Sequence, residues 1–233
     1  ITASHFWFQD NHAELIMDGN VPADLWMGRG DIKILWKKSC CHFLIPIAIT
    51  ASADKDPELA QKVYEVIANW LERNVNKHGA NWASPMETSL RLSVWAYIAF
   101  LLQDLLKPEE LTKIGLALHK KASSILDNCE NHGIQTNHYI SNISALALYS
   151  QLWPSIDPAG KLQKFARDQL LRISEKQLDK DGVQFEYSLH YQRLVCELLA
   201  MPHFTSLLLG QGGFGKTYEN RLIKMLDVLK AAV

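Results

Sequence analysis

The sequence predicts an all-α fold in which helical hairpins stack, either as an α/α toroid or as an irregular helical array. Three observations favour this class. Apolar residues recur at helical spacing through most of the 233 residues. Alternating strand patterns are scarce, and apart from the chain ends only Val183–Phe185 suggests extended backbone. Predicted helix starts recur about every 20–30 residues, a spacing that suits short-looped hairpins.

The predicted helices begin at recognisable start signals. Asp56 precedes Pro57 and predicts an N-cap followed by proline at the first helical position. Ser84 to Glu87 forms a capping box of the S-x-x-E type. The later predicted helices are Ser141–Trp153, one capped by Asp157 and Pro158, Tyr187 to about Met201, and Tyr218–Leu229. Predicted starts therefore fall near residues 33, 57, 85, 108, 138, 158, 187 and 217.

The apolar stripes of these helices also predict the core. Five residues on those stripes are expected to be buried between hairpins. They are Trp70, Trp95, Leu102, Leu118 and Leu146. No Gly/Ser-rich linker interrupts the pattern, so we expect residues 1–233 to form a single helical domain.

Composition excludes several classes of function. The chain has 24 Lys and Arg against 25 Asp and Glu, so it lacks the excess of positive charge that is typical of nucleic-acid-binding proteins. The longest apolar run, around Phe43 to Ile49, is far shorter than the ~18 residues of a membrane span, so none is expected. Four cysteines without a C-x-x-C pair favour structural thiols, and no metal site is predicted.

A glycine-rich segment from Gly210 to Thr217 matches the phosphate-binding pattern G-x-x-x-x-G-K-[ST]. That chemistry requires a preceding parallel strand and a later carboxylate for the metal ion. The segment instead follows a series of helices. We therefore interpret it as a turn between helices and predict that Lys216 binds no nucleotide.

Polar and aromatic residues cluster at three predicted helix starts. Asn81 and Trp82 precede a helix in which Glu87 and Arg91 are spaced for an i,i+4 ion pair. A tryptophan face suits a sugar ring, and a helix N-terminus favours an anion. The same residues also serve as ordinary caps, and from composition alone that structural interpretation is preferred.

The second and third clusters have the same ambiguity. Asn137 and His138 follow a polar turn at a helix start, where they suit either a carboxylate or a cap. Glu186, His190 and Tyr191 surround another turn into a helix, and acid–base chemistry needs such groups together. The alternative is a polar helix entry with a buried tyrosine.

The order and spacing of these clusters resemble the N-terminal helical domain of the heparinase II/III family of polysaccharide lyases. The resemblance covers about Asp31 to Leu199. It rests on the following features: Asp31-Ile32-Lys33 with Trp36, Trp70, Gly79 to Trp82, Met86-Glu87 with Arg91 and Trp95, Asn137-His138 with Asn142, and Asp181-Gly182 with Glu186, Ser188 and Tyr191. The sequence departs from the family pattern at Lys37, Cys40 and Gln192.

The resemblance implies an incomplete α/α toroid that forms one wall of a substrate cleft, with a β-sandwich domain downstream forming the other. It implies β-elimination on a uronic-acid polysaccharide without a cofactor. Asn137 would neutralise the substrate carboxylate, and Tyr191 would be the general acid, with the role of the base open to it as well. The substrate-binding residues implied beside them are Asn81, Trp82, Glu87, Arg91, His138, Glu186 and His190. A periplasmic or secreted location is suggested by the resemblance alone.

Two other functions stay open at this point. The first is a catalytically silent carbohydrate-binding or assembly domain in polysaccharide metabolism. The second is the nucleotide binder built around Lys216, for which the structural context is missing. Because the sequence ends at Val233 without a β-rich segment, we expect the β-sandwich domain to be absent from this chain and the chain to be incomplete as a lyase.

Overall fold

A computed structural model describes residues 32–74 and 79–232, and Asp31 of the family-like pattern lies outside them. In these ranges the chain is helical, which confirms the all-α class, while closure into a toroid stays a prediction. The helices are α1 (Ile32–Cys40), α2 (Leu44–Asp54), α3 (Pro57–Arg73), α4 (Pro85–Leu102), α5 (Pro108–Asp127), α6 (Asn137–Leu152), α7 (Lys161–Lys176), α8 (Leu189–Leu208) and α9 (Lys216–Ala231), with 3₁₀ turns at Ala80–Trp82 and Pro154–Ile156.

The predicted start signals work as hydrogen-bonding caps. The Asp56 carboxylate accepts from the backbone N–H groups of Glu58 and Leu59 at 2.9 and 3.0 Å. The Ser84 hydroxyl accepts from the N–H of Glu87 at 3.3 Å. These bonds satisfy donors that the first helical turn leaves without a partner, so α3 and α4 begin where the sequence predicts.

Several boundaries differ from the predicted ones. The first helix breaks at Cys41, whose φ of 59° is left-handed and ends α1. The helix predicted from Pro158 begins at Lys161, because the Asp157 carboxylate bonds the N–H groups of Lys161 and Gln163 across a left-handed Gly160. Asp157 therefore caps the helix from farther upstream than expected.

Two other helices begin or end elsewhere for similar reasons. Thr136 caps α6, whose first residue, Asn137, agrees with the start predicted near 138 and lies four residues before Ser141. Ser188 caps α8, whose predicted start, Tyr187, has a φ of 49°. The extended backbone predicted near Gln184 amounts to one isolated antiparallel bridge with Leu178.

The chain divides into two compact units, Ile1–Leu126 and Asp127–Val233, and the single-domain prediction stays a prediction. All five core residues expected from the apolar stripes are at most 1% exposed, which confirms them. In the first unit the core centres on α4. In the second it centres on α6, where every residue except His138 is buried.

The second unit is a pair of stacked helical hairpins. Contacts between α6 and α8 join their beginnings at Asn137 and Glu186 and their middles at Ser144 and Leu198, so these helices run parallel. The helix that follows each of them returns antiparallel. Tyr218 on α9, for example, donates to the carbonyl of Leu199 at 2.9 Å. The N-termini of α6 and α8 therefore lie at one end of the unit.

A proline inside α8 contributes to this packing. Pro202 has no N–H group, so the carbonyl of Leu198, four residues earlier, loses its helical donor. The Ser144 hydroxyl of α6 donates to that carbonyl at 2.6 Å in a buried contact. Because an unpaired buried carbonyl costs about 1–3 kcal/mol, this bond lets α8 continue through Pro202 to Leu208.

The segment Ile32–Asp54 is long and apolar enough to cross a membrane by length and composition, contrary to the expectation from the apolar runs. Buried core helices of soluble proteins have the same length and composition, so these features alone do not identify a membrane span. Here it is broken into α1 and α2 at Cys41, and Leu35, Cys40 and Leu44 are buried.

Candidate functional site

The centre of the candidate site in the second unit is a bond between Asn137 and Glu186. Asn137 is the first residue of α6 and is 4% exposed. Its side-chain Nδ2 donates to both carboxylate oxygens of Glu186, at 3.1 and 2.9 Å. This contact ties the start of α6 to the loop that leads into α8. It also places a carboxylate against the amide donor and the N-terminus of a helix, where negative charge is favoured.

His138 sits beside this pair in a separate polar contact. Its Nδ1 lies 2.8 Å from Oε1 of Glu130, and the other carboxylate oxygen accepts from Asn142 at 3.4 Å. Asn142 in turn accepts from the backbone N–H of Glu130 at 2.9 Å. The Glu130 carboxylate thus fixes the His138 ring on the outside of an otherwise buried helix.

Gln192 holds the loop that carries Glu186. Its Oε1 accepts from the N–H of Gln184 at 2.8 Å, and its Nε2 donates to the carbonyl of Gly182 at 2.9 Å. Gln184 then accepts from the N–H of Glu186 at 2.9 Å. Gln192 is 2% exposed, so the departure from the family pattern at this position builds a buried clamp on the loop.

Tyr191 lies in the first turn of α8, and 39% of it is exposed. The Ser188 hydroxyl caps this turn by accepting from the N–H of Tyr191 at 3.4 Å. The His190 ring is 5.7 Å from that of Tyr191 and tilted by 60°. A phenol hydroxyl and an imidazole therefore face solvent at the same helix end as Asn137.

In the first unit the predicted residues Asn81 and Arg91 are buried. The Arg91 side chain donates to the carbonyls of Asn81 and Ser39, at 2.9 and 3.1 Å. Asn81 is 1% exposed and donates through Nδ2 to Asn74 at 2.7 Å. Glu87 accepts from the Cys40 thiol at 4.0 Å. These contacts fix the Ala80–Trp82 turn, and the substrate-binding roles of Asn81, Glu87 and Arg91 stay predictions.

An aromatic cage around Lys121 lies beside that turn, and sequence reasoning missed it. The side-chain Nζ of Lys121 is 4.4, 4.7 and 4.4 Å from the ring centroids of Trp70, Trp82 and Trp95. Lys121 is 0% exposed, and its Nζ has no hydrogen-bond partner. One face of Trp82, predicted as a platform for sugar, therefore contacts a lysine of this chain. The sequence signal for this burial is spacing: Lys121 lies three residues after Leu118 and four before Ile125, on the same apolar face of its helix.

The thiols near this cage are neutral at physiological pH. Burial raises the pKa of Cys40 to about 11 and that of Cys41 to about 12. Among the described residues all four cysteines are free, and no group of three or more His, Cys, Asp or Glu side chains is arranged to hold a metal ion.

The predicted site residues divide between the two units. The second unit brings Asn137, His138, Glu186, His190 and Tyr191 to the N-terminal end of α6 and α8. Asn81, Trp82, Glu87 and Arg91 belong to the first unit. The convergence of all of them on one concave surface stays a prediction.

The glycine-rich segment connects α8 to α9, so a helix precedes it rather than a strand. Phe214 is buried, and its N–H donates to Nδ1 of His203 at 3.0 Å, which folds the loop back onto α8. Lys216 is the first residue of α9, and its ammonium pairs with Glu219 at 3.2 Å. The motif thus has the sequence of a phosphate loop without the strand that positions one.

We expect the chain to bind no nucleotide through Lys216. Calorimetric titration with ATP and Mg²⁺ should give no heat of binding, because a phosphate loop needs a strand before it. The Lys216→Met variant should give the same flat titration. A micromolar dissociation constant that disappears in that variant would show that the loop does bind phosphate.

Comparison with known proteins was consistent with this architecture. A family model described as "Heparinase II/III N-terminus" matches residues 3–232. A structure titled "Crystal Structure of Heparinase III" has a TM-score of 0.68 at 21% identity, covering 82% of this chain and 30% of that chain. A heparan sulfate lyase from Pedobacter heparinus has a TM-score of 0.64 at 16% identity, covering 85% of this chain and 32% of that chain. None of the curated proteins compared with the chain matches it.

Proposed function

Because the chain belongs to the heparinase II/III family, matching its N-terminal domain, we propose that it is the helical part of a polysaccharide lyase. The proposed reaction is β-elimination on a uronic-acid polysaccharide. The chain spans about a third of the length of the solved structures it matches (30%, 32% and 34%). The activity therefore belongs, in this proposal, to a longer protein that contains these helices.

The observation that carries the proposal is the Asn137–Glu186 bond. Elimination requires the charge of the substrate carboxylate to be reduced, so that the proton on the neighbouring carbon becomes more acidic. In the structure the Asn137 amide already donates to a carboxylate, at a helix N-terminus that favours negative charge. In this mechanism Glu186 orients the Asn137 amide, which donates to the uronate carboxylate of the substrate.

Tyr191 supplies the proton transfer in this mechanism. Elimination needs a base at the carbon that loses its proton and an acid at the leaving oxygen. The Tyr191 phenol is partly exposed at the start of α8, where a bound polysaccharide can reach it. A phenol becomes an effective base near neutral pH when positive charge or hydrogen-bond donors surround it, and the remainder of the cleft would supply these.

We expect the 233-residue chain by itself to give little or no elimination. Loss of a single electrostatic donor lowers rates by about 10²–10³-fold in other enzymes, and loss of an opposing wall also removes substrate positioning. The assay follows the ultraviolet absorbance of the unsaturated uronate product on heparan sulfate, alginate and glucuronan. Affinity for one of these polymers without product is the expected outcome. Robust turnover by the isolated chain would contradict its incompleteness.

A further inference from the structure

A cavity lies at the opposite end of the second unit from Asn137. It has a volume of about 260 Å³ and is bordered by the end of α6, the start of α7, the end of α8 and the glycine-rich loop. Gln151 of α6 and Ser206 of α8 both line it. Along α6, Gln151 is about 21 Å from Asn137, so one small ligand cannot occupy both places.

The lining contains a buried acceptor with no partner. Gln151 is 3% exposed, and its side-chain Oε1 makes no hydrogen bond. Two further glutamines border the cavity and bond each other, with Gln163 donating to Gln211 at 2.9 Å. Since unpaired buried acceptors are costly, a ligand hydroxyl at this wall would give the Gln151 oxygen a donor once the amide turns toward the cavity.

The lining also carries positive charge. The guanidinium carbon of Arg167 lies 4.9 Å from the centre of the Phe214 ring, and one of its nitrogens donates to the carbonyl of Gly213. Within the described residues no carboxylate lies within ion-pair distance of Arg167, whereas Lys164 is paired with Asp168 at 2.6 Å. An anionic group on the ligand would provide the missing counter-charge, preferably a carboxylate that the guanidinium can bind through two bonds.

We propose that this cavity is a second saccharide site, which takes a single uronate residue. The hydroxyl groups of the sugar bond the glutamine amides, and the carboxylate of the sugar pairs with Arg167. The cavity is smaller than the ~300–1,000 Å³ typical of sites for drug-sized ligands, so a single sugar residue suits it. The site is independent of the proposed catalytic end, because its lining residues share none of the contacts of Asn137 or Glu186.

The proposal can be tested by titrating the ¹⁵N-labelled chain with sodium glucuronate at constant ionic strength in two-dimensional NMR. Saturable shifts are expected at the Gln151 and Gln163 side-chain amides, with a dissociation constant on the order of 1 mM for a ligand of this size. Glucose, which lacks the carboxylate, and acetate, which lacks the hydroxyls, should each bind at least about tenfold more weakly. Absence of saturable shifts at these amides would overturn the proposal.

Variants locate the site. Arg167→Met should weaken glucuronate at least about tenfold, because it removes the counter-charge and keeps most of the side-chain volume. Arg172→Met, on the same helix but outside the lining, should bind as the parent chain does. If Arg167→Met does not fold, Lys164→Glu reverses the charge of an exposed lining residue and should weaken binding similarly. Unchanged affinity in the folded Arg167 or Lys164 variant would contradict the site.

Discussion

Replacement of Tyr191 with Phe in the longer protein that contains this chain is expected to lower the elimination rate by about 10²–10⁴-fold. The substitution removes one hydroxyl from a ring that is partly exposed at the start of α8 and leaves the helix cap on Ser188 intact. The loss should therefore appear in kcat, with KM for the polysaccharide nearly unchanged. Initial rates of unsaturated uronate formation measure both constants.

Tyr187 provides a matched control for this experiment. It precedes Tyr191 by four residues, is 81% exposed and lies before the first residue of α8. Tyr187→Phe removes the same hydroxyl from a neighbouring position and should retain the parent rate. If Tyr191→Phe also retained that rate, Tyr191 would have no part in proton transfer, and another group would have to supply the acid.

The second large effect is expected at Lys121, where Ala should destabilise the first unit by about 2–5 kcal/mol. Truncation leaves a cavity between three indole rings that now contact the lysine side chain. Lys121→Met keeps an unbranched chain, and its thioether packs well against aromatic rings, so its cost should stay below about 1.5 kcal/mol. Urea denaturation followed by tryptophan fluorescence gives these free energies of unfolding.

The dependence of stability on pH distinguishes the amine from the ammonium in this cage. Burial, and after it the charge of Arg91, hold the pKa of Lys121 well below its usual value. Between that lowered pKa and about 10.4, the unfolded chain binds a proton that the folded chain does not. The free energy of unfolding of the parent should therefore rise with pH in this range, by at most about 1.4 kcal/mol per pH unit.

The difference between the parent and Lys121→Met isolates that slope, since other titrating groups are common to both. Lys120→Met, at an exposed neighbouring position, should leave both stability and slope within about 0.5 kcal/mol of the parent. A parent and a Lys121→Met variant with identical slopes would show that the three indole faces keep the ammonium charged in the folded chain.

Local signals predicted the helical framework well, since each reports bonds within a few residues. Asp56 and Ser84 cap their helices through side-chain bonds to the next turn, which the sequence displays directly. The cage around Lys121 could not be predicted in this way. It assembles indoles from α3, the Ala80–Trp82 turn and α4 around a lysine of α5, and no local pattern reports that meeting.

In the candidate site, too, the sequence indicated individual residues but not the contacts between distant segments. The resemblance indicated Asn137 and Glu186 as separate positions, whereas their mutual bond depends on the parallel packing of α6 against α8. Gln192 stood out in the sequence only as a departure from a family pattern. Its function as a clamp depends on two bonds to the preceding loop and a third to the carbonyl of Met225 on α9, all made by one buried amide.

The bond between Ser144 and the carbonyl beside Pro202 constrains how these two positions can change during evolution. A proline acquired at 202 before a hydroxyl was present at 144 would leave the Leu198 carbonyl unpaired in the core. If the serine is acquired first, the cost in stability is small, because its hydroxyl can bond a carbonyl in the preceding turn of its own helix. The less costly order is therefore to gain the serine first and lose it last, so the effect of a substitution at either position depends on the residue at the other.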